Sequence, residues 1–297
     1  MNGSKATSAS GGRGPRTATG AVLGGALRQA RIELRVQLFS WSALSWILFP
    51  AIGLAVLWFL RGQSVMGSEI SLAQLGVPGI LVMSLVSSGF MAVAGQLITE
   101  REDGTLLRAK ATPLGIRSHL LGNVLLALGT TFVPILAFVL AAALVFGDAV
   151  PQGIGGWVTF GWVSVLGLCA VLPAGAVFGA LVRDVAAFGW ASIFVYGSFA
   201  ISGVFYPLAA LPTWLHYLAQ ALPPYWIGLG MRSAFLPQDA VALEIGQSWR
   251  VLETVGVLGA WSVIGLLLAP LALSRMARRQ SGSEVAAARD RVMAKGY

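Results

Sequence analysis

The sequence predicts an all-α integral membrane protein whose chain crosses the bilayer six times, and three observations predict it. The first is composition. Of 297 residues, 56% are hydrophobic and only 11% charged, and the mean hydropathy is +0.77. Soluble domains carry about 25% charged residues. The second is run length. The apolar residues gather in helix-length runs, matching the roughly 20 residues that a spanning helix needs, and not in the ~10-residue alternating segments of a β-barrel. The third is the placement of Lys and Arg, which fall almost entirely in alternate connecting segments, as the positive-inside rule requires of a multi-pass chain.

The elements follow in chain order. Residues 1–20 are rich in Gly, Ser, Thr and Ala and read as a disordered cytosolic tail. No short apolar run with a small-residue cleavage site follows directly, which argues against a signal peptide. Over residues 22–40, Leu27, Ala30, Leu34 and Leu38 recur near helical spacing, with Arg28, Arg31 and Arg35 on the other face. This pattern predicts a helix lying in the lipid interface, because each arginine at membrane depth costs about 2.5–3.5 kcal/mol on insertion scales. Six spans are expected at about 41–60, 73–98, 118–146, 156–182, 186–205 and 251–273. The fourth carries Gly175 and Gly179 in a GxxxG spacing that permits close helix contact. It also holds the single cysteine, Cys169, read as a small core residue that can form no intramolecular disulfide.

Between spans five and six, residues 206–249 contain Pro207, Pro212, Pro223, Pro224 and Pro237. The stretch is too broken to span cleanly, and non-helical backbone at membrane depth must be buried in protein. Two short helical patterns stand in it, from about Pro207 to Leu222, with Trp214 and Tyr217 as interfacial aromatics, and from about Pro224 to Leu236. Residues 21–274 thus form one transmembrane domain, and 275–297 a polar, basic tail.

With both termini in the cytosol, 17 of the 20 Lys and Arg residues lie inside, and Arg61, Arg232 and Arg250 lie outside. The net charge of +8 is thereby explained by topology in the plasma membrane, and a nucleic-acid partner is not needed to account for it.

Several chemistries are missing. A P-loop needs Gly-Lys-Ser/Thr to cradle phosphate, yet none of the three lysines, Lys5, Lys110 and Lys295, precedes Ser or Thr. The two histidines, His119 and His216, fall on opposite sides of the membrane, and no catalytic or metal-ligating constellation is evident. The central parts of the expected spans hold only neutral polar residues, Gln96, Asn123, Thr130, Thr131, Ser198 and Ser202. Proton relays and metal sites put ionisable groups at that depth, which disfavours an ion-coupled transporter or intramembrane enzyme; the alternative of a different class is a stand-alone membrane scaffold or an ion-coupled transporter.

One polar stretch interrupts the apolar chain, "GQLITEREDGTLLRAKATPLG" at 95–115. Alternating acids and bases beside a Gly-Thr-Leu-Leu patch make an apolar spot ringed by both charge signs, the composition of a docking surface. "EREDGTLLRAKATPL" resembles the signature of permease subunits of type-2 ABC transporters, of the daunorubicin-resistance exporter type. "SGVFYPLAALPTWLHYLAQALPPYWIGLGMRSAF", residues 202–235, resembles that family's stretch before the last span, with its S-G-x-x-[FY]-P start and later L-x-P-x-[YW] pattern. The resemblance covers about residues 25–275.

The resemblance implies several further expectations. The helix at 22–40 would be an elbow helix. The loop after span two would be a coupling helix docking in a separate ATPase subunit through Glu100, Arg101, Glu102, Asp103, Gly104, Thr105, Leu106 and Arg108. Phe205, Tyr206, Pro207, Pro212, Trp214, Pro223, Pro224 and Tyr225 would belong to re-entrant helices forming an external gate. The partners would be two ATPase copies, which bind the ATP and Mg, a second or related permease, and membrane lipids. The cargo would be a hydrophobic or amphiphilic small molecule, with a polysaccharide, lipid or peptide as the alternative. Phe90, Met91, Phe194, Tyr196 and Phe205 are candidate pathway residues, each also readable as lipid-facing or core packing.

Overall fold

In the computed structural model of the chain, the residues described are 43–64, 70–102, 115–147, 149–182 and 186–279, with Gly24, Arg28, Arg31, Ile32 and Val36; side chains are not described at 43–47, 49–50, 100–102, 115–125, 186–188, 210 and 277–279. Eight α-helices run through the described residues: α1 Ala43–Leu60, α2 Leu72–Glu102, α3 Gly115–Phe146, α4 Gly153–Leu181, α5 Ala186–Ile201, α6 Thr213–Ala221, α7 Pro223–Phe235 and α8 Val251–Arg279. Short 3-10 turns stand at Leu208–Ala210, Gln238–Leu243 and Ile245–Gln247.

Each of the six apolar runs contains a helix. Four of the described segments are long and apolar enough to cross a bilayer: Leu72–Thr99, Leu126–Phe146, Gly153–Leu181 and Val251–Met276. Ala51–Leu60 and Gly189–Ile201 are shorter apolar helices. The chain is therefore a multi-pass α-helical membrane protein. Of the expected interfacial helix, Gly24, Arg28, Arg31, Ile32 and Val36 are helical and exposed, and its other residues lie outside the described ones.

Helix α4 stands at the centre, packed against α2, α7 and α8, while α2 also meets α1, α3, α5 and α7. Small residues make this possible. A Cβ on Gly175 would lie 2.5 Å from the Phe90 carbonyl oxygen, and one on Gly179 would lie 2.8 Å from that of Ala94. The GxxxG pair therefore lies against the α2 backbone itself, a separation that any side chain would prevent. Helix α8 packs through Thr254, Leu258, Ser262, Gly265, Ala269 and Met276, all buried and spaced by three, four or seven residues along one face. Gly265 sits against the ring of Pro173 in α4. The opposite face of α8 exposes Leu252, Val263, Leu266 and Leu267, as an apolar solvent or an apolar neighbour allows.

Several interior hydroxyls are satisfied within the helices, while those of Ser87 and Ser164 are buried with no hydrogen-bond partner among the described residues. Ser198 and Ser202 donate to the carbonyls of Val195 and Ser198, Thr130 to that of Ala127, and Ser262 to that of Leu258. Ser88 also reaches Thr131 at 3.3 Å, joining α2 to α3.

Three expectations need correction. Cys169 is exposed, not a core residue. It shares an outward face with the exposed Val165, four residues earlier, because the packed faces of α4 run through Gly167, Leu168, Val171 and Leu172. Helix α5 stops at Ile201 and not near 205; Gly203 follows with φ +59°, a left-handed turn that glycine adopts without strain. Helix α2 continues past 98 through Glu102, since Glu, Arg and Glu are good helix formers.

Candidate functional site

The segment between α5 and α8 is where the chain departs most from a plain bundle. Helix α7 has 13 residues, about 20 Å of rise, against the roughly 30 Å of a hydrocarbon core. It cannot cross. Yet every residue except Ser233 is buried. Two prolines open it, where their missing N–H groups cost nothing. Glycines then seat it along α4. A Cβ on Gly230 would lie 2.6 Å from Val163, and one on Gly156 would lie 2.6 Å from the Ala234 carbonyl oxygen. Phe235 meets Phe160 edge-on at 5.8 Å. The Gln152 backbone N–H and side chain donate to the carbonyls of Ala234 and Phe235 at 2.8 and 3.2 Å, satisfying the last turn.

A buried ion pair fastens this helix. Arg232 is 2% exposed. Its Nε and Nη2 donate to the two Glu244 carboxylate oxygens at 2.5 and 3.1 Å, and its Nη1 donates to the Gly203 carbonyl at 3.1 Å. One guanidinium thus ties the end of α5, helix α7 and the 3-10 turns leading to α8. The two-pronged fork is the geometry that makes such a pair strong, and desolvation makes it costly to break.

A second cluster lies beside it. Arg250 stands over the Trp226 ring, 4.8 Å from its centroid, and donates to Gln220 Oε1 at 2.7 Å. Trp226 donates to the Gln220 carbonyl at 2.6 Å, and Trp261 of α8 to that of Ala221 at 3.0 Å. Helix α6 is therefore pinned to α7 and α8 at its C-terminal end. Its other side exposes Trp214 and Tyr217. His216 contacts the Leu211 carbonyl at 2.8 Å.

The Tyr225 hydroxyl is buried beside the Arg250 guanidinium. Burial, and then the Glu244 carboxylate, push its ionisation above the usual range, against the opposing pull of Arg250 and Arg232. Tyr206 donates to the Ala200 carbonyl, and burial raises its ionisation too.

The expected gate residues are distributed as follows. Pro207, Pro223, Pro224 and Tyr225 are buried, Tyr206 is half-buried, and Phe205, Pro212 and Trp214 are exposed. The Phe205 ring lies against Gly79 of α2, where a Cβ would come within 2.6 Å of it. Of the expected coupling residues, Glu100, Arg101 and Glu102 form the last turn of α2. Asp103, Gly104, Thr105, Leu106 and Arg108 lie outside the described residues.

The five candidate pathway residues fall in different environments. Phe90 is buried against Phe178, with ring centroids 5.6 Å apart, and Met91 beside it is half-buried. Phe90 stands about 16 Å along α2 from the Gly79 level where Phe205 packs. Phe194 and Tyr196 are exposed on α5. Sequence reasoning singles out neither Arg232, which it only counts among the outer basic residues, nor Glu244 as a site residue. The available signal was a lone charge in the otherwise uncharged stretch Pro223–Phe235.

A family model described as ABC-2 family transporter protein matches residues 41–271, which takes in the chain from just before α1 into the last third of α8. No curated protein matches the sequence.

Proposed function

Because the chain belongs to the ABC-2 family of transporter proteins, we propose that it is the permease of an ATP-driven exporter moving hydrophobic or amphiphilic small molecules out of the cell. Family membership makes the chain a multi-pass membrane permease of an ABC-type transporter, with an ABC ATPase as its partner. The chain crosses the plasma membrane six times with both termini in the cytosol, supported by the split of 17 Lys and Arg residues against three. Two permeases, alike or related, pair with two ATPases, which bind ATP and Mg. Residues 100–108 form the coupling surface that receives the ATPase movement.

The observation that carries the export reading is the burial of α7 and its fastening by Arg232 and Glu244. A helix too short to cross, packed among α2, α4 and α8, closes one end of the bundle. It serves as the external gate, with Phe205, Tyr206 and Pro207 at its hinge, and it opens when the spans move. The uncharged helix interiors suit an apolar cargo, since a charged one would need paired charges along its route.

The test is reconstitution. The chain is purified from its host in mild detergent with the ATPase that accompanies it and placed in proteoliposomes. ATP-dependent movement of a hydrophobic dye, and hydrolysis stimulated by that dye, are the expected results. Stimulation by oligosaccharide and not by apolar compounds would overturn the cargo assignment. Recovery of intact chain without any P-loop ATPase would overturn the exporter reading.

A further inference from the structure

We propose that the cleft at the shared end of α1, α2 and α3 is a binding site for the headgroup of an anionic phospholipid. The cleft has a volume of about 460 Å³ and is lined by Trp58, Arg61, Ser71, Ala73, Gln74, Val145 and Phe146. That volume falls in the ~300–1,000 Å³ range of sites for small molecules.

Its position is set by the fold. Two membrane-length segments, Leu72–Thr99 and Leu126–Phe146, have their ends here, so the cleft sits where hydrocarbon gives way to water. The described residues that flank 65–69 are tied together. Gln63 donates to the Leu60 carbonyl at 3.0 Å, Leu72 donates to the Gln63 carbonyl at 2.9 Å, and Ser64 pairs with Ser71. Ser71 and Gln74 exchange reciprocal hydrogen bonds at 3.0 and 3.1 Å. That capping box uses both side chains locally, so they act as walls, and Arg61 is the polar handle.

Arg61 is exposed, yet its guanidinium carbon lies 3.4 Å from the Trp58 ring centroid. Trp58 in turn packs on Phe146 of α3, with ring centroids 6.4 Å apart. Stacking engages the flat face of a guanidinium and directs its in-plane N–H edge away from the ring. Such an edge matches the two oxygens of a phosphate. Below the headgroup the ligand must be apolar. On the membrane side of the cleft α1 and α3 carry exposed apolar side chains, Val56 and Phe59 on the one and Leu140 and Leu144 on the other, and such a surface is what acyl chains cover. A phosphate oxyanion joined to long alkyl chains meets both requirements. The proposal depends on the chain being a membrane protein and not on the cargo or the direction of transport.

The test uses the full-length chain in detergent, titrated with phosphatidylglycerol or with phosphatidylcholine of the same acyl chains. Bound lipid is counted by native mass spectrometry. Phosphatidylglycerol is expected to be retained about tenfold more tightly, the scale of one charge-assisted contact. Arg61→Gln abolishes that preference, and Trp58→Leu reduces it. Equal retention of the two lipids, or an undiminished preference in Arg61→Gln, overturns the proposal. Glycerol phosphate is the second probe: binding as tight as that of phosphatidylglycerol means that the site reads a soluble phosphate, and the lipid assignment is wrong. The same spectra resolve oligomers. Lipid found on dimers alone, and lost together with the dimer in Arg61→Gln, would make the cleft an interface between copies and overturn the assignment.

Discussion

Arg232 and Glu244 show how strongly one side chain can decide a local structure. Both are almost wholly buried, and either one alone would be an uncompensated charge in a medium of low dielectric. Arg232→Met or Glu244→Leu is expected to cost about 3–5 kcal/mol, whereas the double replacement costs far less, because a paired set of apolar side chains leaves no charge stranded. Thermal unfolding of the purified chain measures both. Singles as stable as the double would mean that the pair contributes no fastening. The same pair bears on transport. In the double variant the α5 end loses its tie to α7, so dye should leak through proteoliposomes without ATP, and leak rates equal to the parent chain would count against a latch.

Among the elements, α4 shows the clearest link between sequence and packing. At Gly175 and Gly179 the neighbour is α2 backbone, which cannot rotate aside as a side chain can. Gly175→Ala should therefore destabilise by about 1–3 kcal/mol. Gly161 in the same helix has nothing within 4 Å of its would-be Cβ, and Gly161→Ala should be neutral or gain up to about 1 kcal/mol through helix propensity. A detergent melt comparing the two substitutions is decisive, since equal effects would mean that α4 and α2 do not meet at Gly175. The last turn of α2 carries a different expectation. Glu102→Lys should leave insertion and basal hydrolysis intact while cutting ATP-driven transport at least tenfold, as loss of an interfacial charge pair does. Transport at the parent rate would remove Glu102 from the coupling surface.

For the molecule as a whole, orientation is the property to measure. In the proposed topology, which rests on the split of basic residues, 99–117 lies in the cytosol and the α6–α7 segment outside. A cysteine at Ser248, exposed in the turn before α8, should react with an impermeant maleimide on intact cells once Cys169 is replaced by Ala. A cysteine at Thr105 should react only after the membrane is opened. The reverse pattern would invert the topology and make the gate face the cytosol. The broad apolar face of α8 and the exposed residues of α1 and α3 are consistent with a chain whose solvent is lipid.

The sequence by itself determined that this is a helical membrane protein, where its helices lie, and which glycines let two of them touch. Those properties are local or periodic. Apolar run length, a four-residue spacing and a proline-rich interruption each read directly as physical constraints within a few turns of chain. The end of α5 was set by one glycine with positive φ, and such a signal is easily outweighed by the apolar residues around it. Only the tertiary structure decided that Arg232 points into protein and meets Glu244, that Cys169 faces outward, and that Phe90 packs in the core far from Phe205. Each of these depends on which face of a helix is covered by a distant segment. In an apolar solvent the hydrophobic pattern no longer separates inside from outside, because both faces of a spanning helix are apolar. A charge can then be placed only by its partner, and that partner is chosen by the fold.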